Sequence, residues 1–454
     1  MSKDVARCIA RTIKRAGGRA LLVGGCVRDE FLGITPKDFD IEVYGLDVES
    51  LRTILSFYGE VMEVGASFGV FKIDEYPDLD ISLPRRDSKV GEGHKGFTAT
   101  VAPSLSVKEA ARRRDFTMNS VSQDPLTGEM FDPFFGTNDL AKRTLRITDP
   151  ATFGDDPLRA LRAAQFCARF ELVPDAECVR ICSEMDLSSL SRERFYREFV
   201  KLLMAPRPAI GLYFMRHANL LRFFPELARL VGCPQDPEWH PEGDCFVHTA
   251  MTCDEAARMR SGDLEHDLAL MFGALCHDLG KPGTTTRDPD GHIRSRGHEK
   301  AGEEPTRALL ARLIAPQELV EKVVALVIDH LAPTLFIHQK VTFGGYRRLG
   351  RRLQERRVDF PLLAEVAVAD RYGRTLPRSF PEVVEFMANV RDSGADIPAR
   401  VRDVVMGRHL IERGMKPGRH FGDILRKCRE VQDEAGLQDP EAILGRVLAP
   451  DPAD

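Results

Sequence analysis

Asp38 and Asp40 stand two apart in Asp38-Phe39-Asp40-Ile41-Glu42-Val43, a segment that alternates with the period of a strand. Both carboxylates therefore leave the same strand face. There they can share a hard divalent cation such as Mg²⁺, which prefers oxygen ligands and keeps several waters. A third acid, Asp80, lies in the alternating run Leu79-Asp80-Ile81-Ser82-Leu83 and can complete a carboxylate triad. Upstream, Gly24-Gly25 closes the short apolar run Ala20-Leu21-Leu22-Val23 and precedes Val27-Arg28-Asp29 at a helix start. A glycine pair lets backbone N–H groups approach a phosphate, and a helix N-terminus favours negative charge. Arg28 adds a fixed fork for phosphate oxygens. A second chemical signature is His277-Asp278, at the end of the apolar run Phe272–Cys276 and followed by Gly280-Lys281. Imidazole and carboxylate together suit a transition metal or Mg²⁺. Arg347, Arg348, Arg351 and Arg352 form a basic run, followed by Arg356-Arg357. Such a run is a solvated helix face or a phosphate-contacting stripe for RNA.

The elements that must position these groups divide by composition. A chain of 454 residues exceeds what one core supports and implies several domains. With 43% hydrophobic and 29% charged residues it is an ordinary globular protein, which excludes collagen-like and disordered classes. The longest apolar stretch, Leu268–Cys276, is far short of the roughly 20 residues that span a bilayer, so no membrane partner is expected. Met1-Ser2-Lys3-Asp4 lacks the apolar segment of a secretory signal, and ten cysteines occur without a CxxC pair. Both features fit reduced thiols and a cytoplasmic enzyme. The net charge of −5 means that any nucleic acid must be held by local basic patches.

Up to residue 150 the pattern alternates helix and strand. Val5–Ala16, Val27–Leu32 and Val48–Tyr58 read as helical, and Val61–Ile73 reads as a hairpin or bent strand through Gly65 and Gly69. Asp87–Lys95, rich in glycine and charge, reads as a mobile loop. After Asp149-Pro150 helical spacing takes over, with Pro157–Phe170, Asp186–Met204 and Pro208–Phe224 amphipathic. Pro234–Gly243 reads as a linker, and from Arg374 the tail is helical with proline and glycine breaks.

Several ordered motifs together resemble the class II tRNA nucleotidyltransferases (CCA-adding enzymes) and the related bacterial poly(A) polymerases. They are Gly24-Gly25-Cys26-Val27-Arg28-Asp29, Asp38-Phe39-Asp40, Arg113-Arg114-Asp115-Phe116-Thr117-Met118-Asn119, Asp132-Pro133-Phe134, Asp139-Leu140, Leu145-Arg146 and Asp155-Asp156-Pro157-Leu158-Arg159-Ala160-Leu161-Arg162. The resemblance implies an α+β fold, with a small mixed-sheet nucleotidyltransferase head (residues 1–150) followed by an all-helical neck, body and tail. It implies that Asp38 and Asp40 bind catalytic Mg²⁺ and that Asp80 positions or deprotonates the attacking 3′-hydroxyl. Gly24, Gly25, Arg28 and Arg114 would hold the triphosphate. Asp156 and Arg159 would read the base of CTP or ATP, a role that fits their i, i+3 placement on one helix face. Arg162 continues that face within the neck (residues 151–233). Where the family often carries a further arginine, this chain has Gln165.

The His277-Asp278 segment resembles the HD phosphohydrolase superfamily. By that resemblance His248, His298, His330 and Asp370 join His277 and Asp278 as ligands of a divalent metal of unspecified identity in a body spanning 234–373, before the tail at 374–454. The implied function is template-independent addition of CCA to the 3′ end of tRNA, with an appended phosphohydrolase activity. A poly(A) polymerase or a CC- or A-adding enzyme is the alternative of the same class. The alternative of another class is an HD phosphohydrolase whose head only binds nucleotide or RNA.

Overall fold

The computed structural model describes residues 2–64, 69–89 and 97–449. The chain divides into two compact units, 1–223 and 224–454. The break falls inside the segment read from sequence as a neck.

The first unit opens with α1 (Ser2–Arg15), whose Ala6, Ile9, Ala10 and Ile13 are fully buried at helical spacing. It lies on a sheet with α3 (Val48–Leu55), whose Leu51, Ile54 and Leu55 are also buried; the intervening α2 spans Gly25–Phe31. The sheet comprises β1 (Arg19–Val23), β2 (Phe39–Tyr44), β3 (Val61–Val64), β4 (Val70–Ile73), β5 (Tyr76–Ser82), β8 (Ser122–Gln123) and β9 (Met130–Phe131), in the order β3-β4-β5-β2-β1-β8-β9. It is mixed, because β2 and β5 run parallel while the remaining pairs are antiparallel. The expected hairpin over Val61–Ile73 is therefore present as β3–β4, and residues 65–68 lie outside the described residues. Part of the expected loop is a strand: β6 (Arg85–Lys89) pairs antiparallel with β7 (Phe97–Val101), while 90–96 lie outside the described residues. β-branched Thr98, Thr100 and Val101 favour that extended pairing over a loop.

Helices follow. α4 (Val107–Arg112) starts with a Ser106–Glu109 capping box and leads into the Arg113–Asn119 segment. α5 (Leu158–Phe170) carries the alanine-rich face that packs against α7 (Arg192–Leu203) and α8 (Pro208–His217), with α6 (Ala176–Glu184) between them in sequence. The expected helix from Asp186 begins only at Arg192, because Asp186 turns the chain by accepting from Ser188 N and Ser191 caps the helix.

In the second unit α9 (Cys245–Met259), α10 (Leu264–Cys276), α12 (Gln317–Asp329) and α14 (Phe360–Tyr372) pack together. A small hairpin, β10 (Thr285–Arg287) and β11 (Ile293–Ser295), precedes the single turn α11 (His298–Ala301). α13 (Phe343–Glu355) meets helices over Pro381–Ser393 and His420–Ala435. Residues 234–243, expected as a linker, are built into this unit. Pro234 bridges Asp244, Gln235 N donates to Gly243 O at 3.0 Å, and Asp236 accepts from Ile293 N at 3.0 Å. Among the described residues no helix is long and apolar enough to cross a membrane.

Candidate active sites in the two units

The parallel register of β2 and β5 sets Asp40 directly beside Asp80. Asp38 stands at the bend just before β2. Asp40 is pushed up to about 6 by burial and by the charges of Asp80 and Asp38. Lys72, opposite Asp80 on β4, puts Nζ 2.7 Å from Asp80 Oδ1. Asp40 and Asp80 offer the oxygen donors a hard divalent cation prefers, but the three acids are not drawn into one tight cluster, and Lys72 engages Asp80.

Asp40 opens onto a cavity of about 460 Å³. The structure brings Gly24, Gly25, Arg28, Arg114, Asp156, Arg159 and Arg162 to that same cavity. Asp38 and Asp80 do not line it. Gly24 has φ +70° and ψ −123°, which a residue with a Cβ adopts only under strain. Arg28 is fixed by Asp29 (Nε to Oδ1, 2.8 Å) and by Asn119 (Nη1 to Oδ1, 2.6 Å), with its guanidinium 4.6 Å from the Phe170 ring centre. Asp156 does not share a helix face with Arg159: it stands in the bend before α5, because the Pro157 turn starts the helix only at Leu158. It accepts from Leu158 N (3.1 Å) and, with both oxygens, from Arg194 Nη2 (3.2 and 2.9 Å). Arg159 donates to Thr152 O and Arg113 O at 3.0 and 2.6 Å, two of its five N–H groups. These contacts hold both side chains at the cavity wall with hydrogen-bonding capacity to spare. Gln165 is 4% exposed and lines the cavity beside Phe166.

Several groups escaped the sequence reading. Glu42, 1% exposed, receives Arg113 Nη2 and Arg114 Nη2, each at 3.1 Å, and Tyr44 Oη at 2.7 Å. Burial works to raise its carboxyl, but the two arginine charges prevail and hold it below the usual range. The signal was available: Glu42 is two residues past Asp40 in the same alternation. Asp115 accepts from Asn119 Nδ2 (2.9 Å) and Arg162 Nε (2.7 Å), and those partners overcome burial to keep it ionised. Arg113, Asp115 and Asn119 all belong to the quoted Arg113–Asn119 motif and line the cavity. Arg194 and Lys201 carried no sequence signal.

In the second unit three histidines share one device. His277, His298 and His330 each point Nδ1 at the carbonyl three residues back, Ala274, Ser295 and Val327, at 2.8, 2.8 and 2.7 Å. A carbonyl only accepts, so Nδ1 carries the proton and the neutral ring keeps its lone pair on Nε2. Those lone pairs converge. His277 Nε2 lies 3.2 Å from His248 Nε2, and His298 Nε2 lies 3.3 Å from His330 Nε2. Burial, with the imidazoles of His298 and His277, pushes His330 down to about 3. His248 Nε2 also lies 3.0 Å from Asp370 Oδ1. Burial works to lower its imidazole, but hydrogen bonds to Asp370 and Glu242 raise it, so a proton can bridge there; the donor set is equally one that suits a divalent cation.

Two triads result, His248–His277–Asp370 and Asp278–His298–His330. Asp278 lies between them, with Oδ2 3.1 Å from His277 Nε2 and Oδ1 3.4 Å from His298 Nε2. All six expected ligands are therefore brought together. Gly280 permits this, since a Cβ there would sit 2.0 Å from the His298 carbonyl. Around the triads stand residues missed in sequence. Glu242 Oε1 is 2.9 Å from both His248 Nδ1 and His240 Nδ1, and orients the two rings. Lys281 Nζ is 2.7 Å from Asp278 Oδ2, and Arg374 Nη2 donates to both oxygens of Asp370 at 2.9 and 3.0 Å. Arg374 follows Asp370 by four residues, a legible helix pairing; His240 and Glu242 lay hidden in the supposed linker.

The basic run is engaged inside the second unit. Arg347 donates to Ser393 O and Asp433 O, Arg348 pairs with Glu434, Arg351 with Asp403 and Asp433, and Arg352 with Asp329. These contacts fix the arginines along α13, and each guanidinium keeps further N–H groups beyond them.

Comparison with known proteins agrees with this geometry. A family model described as the poly A polymerase head domain matches residues 20–146, and one described as a probable RNA and SrmB-binding site of polymerase A matches 179–230. The multifunctional CCA protein of Xanthomonas campestris pv. campestris is 35% identical over 402 residues, covering 83% of this chain and 92% of the relative. That of Pasteurella multocida is 34% identical over 364 residues, covering 78% and 84%. Among solved structures, a Thermotoga maritima CCA-adding enzyme complexed with tRNA superimposes with TM-score 0.60 at 19% identity, covering 98% of this chain and 94% of that one. A Bacillus stearothermophilus CCA-adding enzyme in complex with CTP gives TM-score 0.63 at 21% identity, covering 97% and 95%. These structural likenesses establish the shared fold.

Proposed function

The chain belongs to the multifunctional CCA protein family, and on that premise we propose how its two sites work. The protein is a nucleotidyltransferase that adds C, C and A to the 3′ end of tRNA from CTP and ATP, in the cytoplasm. The observation that carries this reading is the cavity joining Asp40, beside Asp80, to the arginine wall and to Asp156 and Arg159. Asp38 and Asp40 would hold Mg²⁺, which when bound neutralises charge on the attacking and leaving oxygens of the transfer. The 3′-hydroxyl attacks the α-phosphate in line and pyrophosphate leaves. Asp80 orients that hydroxyl and takes its proton once Lys72 yields. Arg28 and Arg114 hold the triphosphate in fixed forks, pre-set by Asn119 and Glu42. Asp156 accepts from the base edge and Arg159 donates to it, so C and A are read without a template.

The second unit we assign to metal-dependent hydrolysis of phosphoesters, among them 2′,3′-cyclic phosphates at RNA ends. Two imidazole–carboxylate triads with Asp278 lying between them support this, each suited to one divalent cation, which when bound activates water by Lewis acidity. Residues 1–150 then act as head, 151–233 as neck, 234–373 as hydrolytic body and 374–454 as tail.

The deciding experiment supplies tRNA ending before CCA, or ending in CC, with each labelled nucleotide singly and together. Growth by three and by one residue, respectively, is expected. Growth by only C residues or only A names a partial enzyme, and a long A tract names a poly(A) polymerase, the activity in the head domain's family description.

A further inference from the structure

Trp239 is the chain's single tryptophan, and it stands 55% exposed on the wall of the cavity above the two triads. Single exposed apolar side chains are ordinary, and Phe57 and Phe135 are more exposed still; what marks Trp239 is its place on the wall of a cavity that Asp278, His298, His330 and Asp370 also line. It does not result from a loose loop. Trp239 N donates to Asp236 O at 3.1 Å and His240 N to the same carbonyl at 2.8 Å, closing a tight turn. The Asp236 carboxylate then ties that turn to the hairpin, through His292 Nδ1 at 2.8 Å and Ile293 N at 3.0 Å. On the other side Gln235 accepts from buried Lys281 Nζ at 2.6 Å. The backbone that carries the indole is thus fixed, and no hydrogen bond or ring contact engages the indole itself among the described residues.

The cavity beneath it measures about 240 Å³. Pockets that enclose a whole drug-sized ligand measure roughly 300–1,000 Å³. It is lined by Asp278, His298 and His330 of one triad and Asp370 of the other, together with the cations Lys281 and Arg374, the latter with its Nε buried and without a partner. That lining suits a phosphate. The volume leaves the rest of a nucleotide at the mouth, where a flat apolar face is waiting.

We propose that Trp239 is a stacking platform for the base of a nucleoside phosphoester whose phosphate enters the triads, so that the second site selects base-bearing esters over simple ones. The proposal rests on the phosphohydrolase reading of this unit. Base–aromatic stacking contributes about 1–3 kcal/mol, roughly 5- to 150-fold in affinity.

Because the first unit contains no tryptophan, indole fluorescence reports on this site alone. In the metal-loaded protein, adenosine 3′-monophosphate should quench it saturably, and glycerol 2-phosphate, which carries no base, should not. Trp239→Ala should lower kcat/KM for adenosine 3′-monophosphate at least fivefold, mostly through KM, and leave glycerol 2-phosphate hydrolysis unchanged. Trp239→Phe should recover most of the loss. Absence of quenching, or equal losses for both esters, overturns the stacking role. If neither ester is hydrolysed while the base-specific quench persists, the phosphohydrolase reading fails and the nucleotide site stands.

Discussion

The two candidate sites assemble donors suited to divalent cations in opposite ways. In the first unit the candidate metal-facing groups are carboxylates, Asp40 and Asp80 side by side on neighbouring strands and Asp38 in the bend before β2. In the second they are imidazoles and carboxylates between 0% and 8% exposed, gathered from five separated segments and locked by carbonyls and a buried glutamate. The difference teaches where rigidity comes from. A sheet supplies it through register, so the ligands can stay open to a large RNA end. A helical bundle has no such ladder, and each ring must be pinned by its own second partner.

The sharpest way to break this comparison is to remove one site at a time. Asp40→Ala, or Asp38→Ala, should reduce nucleotide incorporation by about 10³-fold or more, because the charge-neutralising cation is lost. Metal content of the second unit should not change. His277→Ala should do the reverse, with bound transition metal lost by elemental analysis and ester hydrolysis abolished, while CCA addition stays within about twofold. If either variant removed both activities, the sites would not be independent.

Smaller effects sharpen the contrast. Asp156→Ala should cost selectivity among the four nucleotides by about 10- to 100-fold, the worth of one or two buried hydrogen bonds, and lower the rate with the correct nucleotide less. Single-nucleotide incorporation assays read this directly, and uniform loss for all four bases would show Asp156 to be only Arg194's partner. Glu42→Gln keeps the shape between Arg113 and Arg114 but removes the charge that aligns them. KM for CTP and ATP should rise about tenfold with kcat falling less, alongside a lowered Tm. The smallest expected effect is on stability without metal. Asp40 titrates near 6 in the fold, above the ordinary carboxylate value, so its ionisation disfavours the folded state. Its contribution is fully present below the unfolded pKa and lost as pH rises through about 6. Asp40→Asn should therefore raise Tm in chelator at pH 8 by a few degrees, and that gain should vanish near pH 4.

Legibility in the sequence followed the same division. The strand bearing Asp40 was readable because period-two alternation is local, and it even contained Glu42, whose role needed Arg113 and Arg114 to be seen folded over it. The 234–243 segment was misread as a linker because proline and glycine punctuate the chain whether the turn is free or pinned. Asp236 decides between those outcomes, through a hairpin more than fifty residues away. The start of α7 at Arg192 turned on a side-chain cap, a choice that apolar spacing does not record. The arginine run on α13 shows the same limit. Its charge was plain in the chain, but its carboxylate partners lie 23 to 86 residues away.

The sequence by itself determined the chemistry available: three acids beside a glycine turn, Asp156 and Arg159 three apart at a helix start, and histidines in a helical context. These are properties of residue type and near spacing, which strand and helix periods translate into faces. Only the tertiary structure decided which groups share a site and in what state. It set Asp40 beside Asp80 through parallel register, gathered four histidines and two aspartates into one buried cluster, gave the arginine run carboxylate and carbonyl partners, and left Trp239 exposed on a cavity wall. Those outcomes depend on contacts between segments far apart in the chain, where burial and neighbouring charge, rather than residue identity, set protonation, orientation and reach.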